Sequence, residues 1–231
     1  MFNIDIKKLL IKSQDKELVN ISFKISNSTA LIGQSGSGKS LTLKALLNLL
    51  PNSLICEKEI KSNFVLDFNT IGFIPQNPFT SLSPMTKINK QFFCSDKKKK
   101  EVLKLVDLDT WVLEKYPSQL SGGQIQRVII AIALSKEIKF LLLDEPTTAL
   151  DIENRDNIIG LIKNLIEDLK ILVLFVTHDI DSVKDICKDM IIIKDGIVIE
   201  QGNTEEILSK SKQSYTKTLI NSTFKNKDFR K

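Results

Sequence analysis

The chain is poor in the residues on which several kinds of chemistry depend. Among 231 residues it has one histidine, one tryptophan and three cysteines. Cys56, Cys94 and Cys187 are scattered, odd in number, and no two stand at metal-ligand spacing. That speaks against a disulfide-stapled fold or a cysteine metal site and predicts reduced thiols in the cytosol. Arginine is nearly missing, with only Arg127, Arg155 and Arg230, so the mild net charge of +5 is carried by lysine. Nucleic-acid faces favour arginine, and none is expected here. The one dense basic run, Lys97 to Lys100, reads as the solvated start of a helix. No apolar run approaches the roughly 20 residues needed to span a bilayer. The opening residues Met1 to Lys7 lack a signal-peptide layout, so a membrane, if served, is expected to be reached through a partner. No internal repeat and no linker rich in Gly, Pro or Ser is seen.

What is present centres on Gly33 to Ser40, GQSGSGKS. A β-prone run, Thr29 to Ile32, precedes it. A helical pattern from Leu41 to Leu50 follows and stops at Pro51. Strand, glycine loop, helix is the context of a phosphate-binding loop. Gly33, Gly36 and Gly38 let the backbone curl until successive N–H groups converge, and the new helix adds the positive end of its dipole. Lys39 is expected to reach β- and γ-phosphates and Ser40 to ligate Mg²⁺. The loop itself names neither the nucleotide nor the use of its energy. Composition is globular, 42% hydrophobic and 26% charged, and the length suits one large α/β domain with an insertion.

Residues 2–11 and 18–25 alternate as antiparallel strands joined by the turn Ser13-Gln14-Asp15-Lys16. Short strands are predicted at Phe64 to Leu66 and Ile71 to Ile74, ending at Pro75-Gln76-Asn77-Pro78. Residues 79–135 then read as an inserted helical subdomain. It has helices at 88–94 and 98–108, the latter with Val102, Leu105 and Val106 on one face, and another opening at Leu120-Ser121-Gly122-Gly123-Gln124. Phe140 to Asp144 and Ile171 to Thr177 look like strands buried on both faces, with a helix from 153 to 169 between them. A short helix at 183–188, a hairpin around Asp195-Gly196 and a helix from Thr204 follow. Core 1–78 and 136–210 with the insertion 79–135 makes one domain over 1–220. A frayed basic tail is expected over 221–231.

The remaining chemical residues fall at the ends of these elements. Asp144-Glu145 ends a buried strand, where open α/β sheets bind ligands. With a phosphate loop in the chain, Asp144 is read as a Mg²⁺ ligand and Glu145 as general base. His178 ends the next buried strand and is read as a γ-phosphate contact. Gln76, where a strand meets the inserted helices, is read as a contact to Mg²⁺ or its water. Ser121-Gly122-Gly123 at a helix start offers a second anion site by the same backbone physics. A second anion site at the far end of an insertion calls for a second chain to supply its phosphate.

Together these residues resemble the ATP-binding subunit of an ABC transporter. Gly33, Gln34, Ser35, Gly36, Ser37, Gly38, Lys39, Ser40 and the adjoining Leu41 match the ATP-binding Walker A loop, and Gln76 the Q-loop. LSGGQ at 120–124 matches the signature, with Ser121, Gly122, Gly123 and Gln124 set to touch the ATP of a partner subunit. Phe140 to Glu145 matches Walker B, Ala149-Leu150-Asp151 the D-loop, and His178 the switch histidine. The match runs over roughly residues 2–210. It implies a P-loop NTPase (RecA-like) core with an antiparallel β subdomain and an inserted α-helical subdomain. It also implies ATP hydrolysis with Ser40, Gln76 and Asp144 at Mg²⁺ and Glu145, His178 and Gln76 at the reaction. The implied assembly is a head-to-tail dimer with the same or a homologous chain, docked on integral membrane permease subunits at the cytoplasmic face of the inner membrane. An extracytoplasmic solute-binding protein would act indirectly, and no nucleic acid is implied.

The stretch from Phe73 to Pro84, Pro146 to Asp151 and Tyr215-Thr216 is similar to the peptide and nickel importer branch, and the short form most resembles its nickel-type subunits. Two features depart from the family. The 13–16 turn lacks the usual adenine-stacking aromatic, a contact worth about 1–3 kcal/mol. Ser26-Asn27-Ser28-Thr29 replaces the usual Gly-Glu before the Walker A strand. A soluble ABC-type ATPase acting on ribosomes or DNA is the competing reading; single-cassette length and the lack of heptads count against it. A degenerate, non-hydrolysing partner subunit is a third, opposed by the presence of Glu145, His178 and LSGGQ. Transported solute and homodimer versus heterodimer are not encoded in these motifs.

Overall fold

The computed structural model describes residues 2–14, 16–148 and 150–228. In chain order the strands and helices are β1 (Ile4–Ser13), β2 (Lys16–Ile25), β3 (Ser28–Ile32), α1 (Lys39–Leu46), β4 (Ile55–Ser62), β5 (Ile71–Ile74), α2 (Asp96–Leu105), α3 (Gly122–Leu134), β6 (Phe140–Asp144), α4 (Ile152–Leu169), β7 (Leu172–Thr177), β8 (Asp189–Lys194), β9 (Ile197–Asn203), α5 (Thr204–Lys210) and α6 (Ser214–Asp228). They form two compact units, Met1–Val65 with Leu172–Lys231, and Leu66–Ile171. None of the described helices is long and apolar enough to cross a membrane.

The first unit carries the phosphate loop. β3 lies between β7 and β8 and is parallel to both, and β9 pairs antiparallel to β8. Every residue of β3 and β7 is buried; most are apolar, and the polar Ser28 is satisfied by donating from Oγ to Ile186 O at 2.8 Å. The amphipathic β1 and β2 pair antiparallel, and β4 adds to the other side of β1. The β4 strand replaces the short strand predicted at Phe64 to Leu66. Its sequence, ICEKEIKS, is half charged and does not alternate cleanly, yet it suits an edge: Glu57 accepts from Lys8 Nζ at 2.6 Å and Glu59 lies 3.9 Å from Lys7. Residues 64–66 instead lead into a turn organised by the Asp67 carboxylate, which accepts from the Asn69 and Thr70 N–H groups; these bonds, the one from Thr70 foremost, hold its pKa below the usual carboxylate range. The α1 helix stops at Leu46, before Pro51. Asn48 takes a left-handed φ of 57°, with Asn48 N–H bonded to Ala45 O and Leu49 N–H to Lys44 O, a Schellman end. Residues 183–188 are hydrogen-bonded turns rather than a helix. The α6 backbone is helical through Asp228, past Asn221 where a tail is expected; residues 229–231 lie outside the described residues.

In the second unit β5 and β6 are parallel, pairing Ile71 with Phe140 through Ile74 with Leu143. Between them in sequence come 3-10 turns, α2 and α3. The helix expected at 88–94 is a 3-10 turn at Ile88–Gln91. α2 starts at Asp96 with Ser95 as its cap, so Val102, Leu103 and Val106 are buried and Leu105 is exposed, in place of the face predicted for Leu105. The same phase buries Lys99, whose Nζ donates to Asn89 Oδ1 and Asp96 Oδ1, while Lys97 and Lys100 stay exposed. The lysine run is therefore a solvated helix start with one inward member. Cys187 in the first unit is buried, and burial pushes its thiol well above the usual range; Cys56 and Cys94 are half-buried, and all three thiols are free.

Leu31 is fully buried mid-strand in β3. Leu31→Ala is expected to cost about 2–5 kcal/mol in chemical unfolding; a loss below about 1 kcal/mol would show that β3 is not at the centre of its sheet.

Candidate functional site

The glycine loop, read from the sequence as phosphate-binding, is the connection from β3 to α1. Gly36 has φ 80° and Gly38 φ 104°, both left-handed, so side chains there would strain the curl. A Cβ on Gly36 would meet open space, whereas one on Gly38 would come within 2.8 Å of Val19 and one on Gly33 within 2.3 Å of Ile193 O. The loop is therefore open at its middle and pressed against the protein at its ends. Gly38 caps α1 without a side-chain hydrogen bond, and the first turn carries no acid, leaving the helix start positive. Lys39 is buried and folds over its own loop, donating from Nζ to Gly33 O at 2.6 Å and Gln34 O at 3.0 Å. To reach a phosphate the ammonium must leave these carbonyls. Ser35 and Ser40 are exposed, Leu41 half-buried.

Register then decides what stands beside the loop. Ile32 pairs with Thr177 in parallel β3 and β7, so Gly33 and His178 leave the same sheet edge side by side. His178 is exposed there. The following turn is fixed by Asp179, whose carboxylate accepts from Ser182 Oγ at 2.7 Å and Asp181 N at 3.0 Å. In the second unit Ile74 pairs with Leu143, which brings Gln76 and the Asp144-Glu145 pair to one edge. Gln76 Nε2 donates to Glu145 Oε2 at 3.2 Å, and Thr148 Oγ1 donates to the same oxygen at 3.2 Å. Glu145 has a left-handed φ of 43°, an uncommon backbone for that residue, which turns its carboxylate toward Gln76. Asp144 and Glu145 are half-buried.

The LSGGQ stretch begins α3. Ser121 Oγ accepts from Gln124 N–H at 3.3 Å and Gln124 Oε1 accepts from Ser121 N–H at 2.9 Å, a capping box. The helix start is thus partly satisfied by its own side chains, and an anion would meet the first-turn amides of Gly122 and Gly123. Gly123 is required by packing: a Cβ there would lie 2.7 Å from Asn154 Oδ1. Asn154 in turn donates its backbone and side-chain N–H groups to the two Asp151 oxygens at 2.9 and 2.8 Å. Asp151 is the cap of α4, and the Asn154 N–H foremost holds its pKa below the ordinary carboxylate range. The folded value being depressed, this cap is intact above the unfolded pKa and fails as pH falls through the folded one. Ala149 of the same stretch lies outside the described residues.

Three contributors are not assigned a role by sequence reasoning. Asn154 carries no local signal. Gly196 is legible as a hairpin residue only; in the structure its N–H donates to Ser37 O at 3.0 Å and its carbonyl accepts from Asn20 N–H at 2.7 Å, bracing the loop. Tyr215 accepts from Gln34 N–H at 3.2 Å.

The residues fit a nucleoside triphosphate and Mg²⁺. The glycine curl with its open middle suits a phosphate chain. Among the described residues no group of three or more His, Cys, Asp or Glu gathers as a metal cage. Mg²⁺ ordinarily needs none, taking one or two protein ligands, waters and substrate phosphates.

The family model for "ABC transporter" matches residues 17–148. The chain is similar to the nickel import system ATP-binding protein NikD of Staphylococcus aureus. Identity is 36% with the protein from the bovine strain RF122 / ET3-1 and 36% with that from strain USA300, covering 94% of this chain and 94% of each relative. Among solved structures it is similar to cbiO1 from Clostridium perfringens, part of the ABC transporter complex cbiONQ. There the TM-score is 0.75 at 25% identity, covering 96% of both chains.

Because Gly123 presses on Asn154, Gly123→Ala is expected to cost about 1–3 kcal/mol. Combined with Asn154→Ala it should cost less than the sum of the two. A double-mutant cycle on unfolding free energies checks this, and strict additivity would show that the contact is not the constraint.

Proposed function

The chain belongs to the ABC transporter family, and from that we propose that it powers a nickel-type importer by binding and hydrolysing ATP. It is an ATPase coupled to transport. The observation that carries the ATP reading is the Gly33–Ser40 loop, with its left-handed glycines, open middle and buried Lys39. Similarity to the NikD proteins over nearly the whole chain supports nickel over peptide as the cargo class. Nickel here is cargo handled by partner subunits, and no site for it is assigned to this chain.

In the proposed reaction the Gly33–Leu41 stretch, through those of its backbone N–H groups not already bonded within the protein, and the Lys39 ammonium grip the phosphates. Ser40, Asp144 and Gln76 would hold Mg²⁺, which would supply positive charge against that developing on the phosphates. Glu145 accepts the proton of the attacking water as its oxygen bonds to the γ-phosphorus. The bond from that phosphorus to the bridging oxygen breaks, and ADP leaves with the electron pair. The Gln76–Glu145 hydrogen bond orients the carboxylate. His178 contacts the γ-phosphate from the edge it shares with Gly33. The Ser121–Gln124 helix start and Asp151 serve the nucleotide of a second subunit in a head-to-tail dimer. That dimer works as a peripheral assembly at the cytoplasmic face of the membrane, on integral permease subunits fed by an extracytoplasmic solute-binding protein.

Glu145→Gln is expected to lower kcat at least about 100-fold while ATP still binds, and Lys39→Ala to weaken ATP binding itself. Steady-state turnover and nucleotide titration measure the two. Wild-type turnover in Glu145→Gln would remove the base assignment. For the cargo, loss of the chain from its host cell should abolish accumulation of radioactive nickel and spare dipeptide uptake; the reverse pattern would make it a peptide importer subunit.

A further inference from the structure

We infer that Tyr215, on the last helix, is a positioning residue for the phosphate loop and sets its affinity for ATP; the inference rests on the ATP reading above. The Tyr215 hydroxyl accepts from the Gln34 N–H at 3.2 Å. Gln34 is the second residue of the loop and precedes the open glycine curl. Its carbonyl is held from the other side, by Lys39 Nζ at 3.0 Å and Ser37 N–H at 3.2 Å. Lys39 must give up that carbonyl to reach a phosphate, so the Tyr215 bond is the tether to Gln34 from outside the loop that remains when the lysine moves.

The tyrosine is itself set by a contact on its ring and by a tie at the entry to its helix. Lys194 Nζ sits 5.1 Å from the Tyr215 ring centroid, within cation–π range. Lys194 immediately precedes the Asp195-Gly196 turn whose Gly196 N–H holds Ser37 O. The entry to α6 is tied to β9 through Glu200, which accepts from Ser211 Oγ at 2.7 Å and Lys212 N–H at 3.0 Å. Burial alone would raise the Glu200 pKa, yet these bonds, the one from the Lys212 N–H foremost, hold it below the usual range, so the tie persists at neutral pH and loosens only in acid. The hairpin and the helix thus grip the loop at Ser37 and at Gln34, leaving the N–H groups between for phosphate.

Tyr215→Phe keeps the ring and its lysine contact and deletes only the oxygen. In the full chain it is expected to raise KM and Kd for MgATP about three- to tenfold, the worth of one hydrogen bond, with kcat within about twofold. Without nucleotide, amide exchange in residues 33–38 should quicken several-fold while the β1–β2 sheet exchanges as before. Wild-type affinity in Tyr215→Phe, unchanged loop exchange, or a fall in kcat at constant KM would each overturn the inference. Wild-type protein that fails to bind MgATP would instead overturn the ATP reading, leaving the exchange result to test the tether by itself.

Discussion

Parallel strand register is the constraint from which the chemistry of this molecule follows. Hydrogen bonding Ile32 beside Thr177 leaves no choice about where the next residues emerge: the glycine loop and His178 share an edge. Bonding Ile74 beside Leu143 does the same for Gln76 and Glu145. Every residue of β3 and β7 is buried, so both faces of these strands are packed and their pairing is held from two sides. The candidate site side chains are polar, yet their placement is dictated by the pairing of apolar strand residues such as Ile32, Ile74 and Leu143.

Around this frame the loops are secured by small, local devices. Asp179 ties down the turn after His178, Ser121 and Gln124 close the start of α3 on themselves, and Asp151 caps α4 while anchoring Asn154. Each uses one or two polar side chains to satisfy backbone N–H groups that would otherwise compete for an incoming anion. The glycine loop differs: its middle is left uncapped, and to its local bonds from Lys39 and Ser37 are added restraints from elements distant in sequence.

Much of this is legible in the sequence. The glycine loop, the buried strands ending in Asp144 and Thr177, the LSGGQ helix and the Asp195-Gly196 hairpin all carry strong local signals, and they stand where expected. β4 was not legible because its charged sequence resembles a loop; only pairing with β1, through Lys8 and Glu57, makes it a strand. The end of α1 was misplaced because Pro51 is the louder signal, while Asn48 does the stopping. Leu105 faces solvent because the cap at Ser95 sets the helical phase, and that phase buries Leu103 in its place. Asn154 and Tyr215 escaped because their roles exist only across distance: one fills the space above Gly123, the other meets a loop 181 positions earlier.

The two successive left-handed residues at Asp195 and Gly196 also bear on how the protein can be handled. Hairpin tips are ordinarily the places where chains accept grafted peptides and fluorescent reporters. At this tip Asp195 is exposed but Gly196 is buried, with a Gly196 Cβ position only 2.2 Å from Leu18 O. A label belongs instead on the exposed stretch Pro51-Asn52-Ser53, which leaves the nucleotide grip undisturbed.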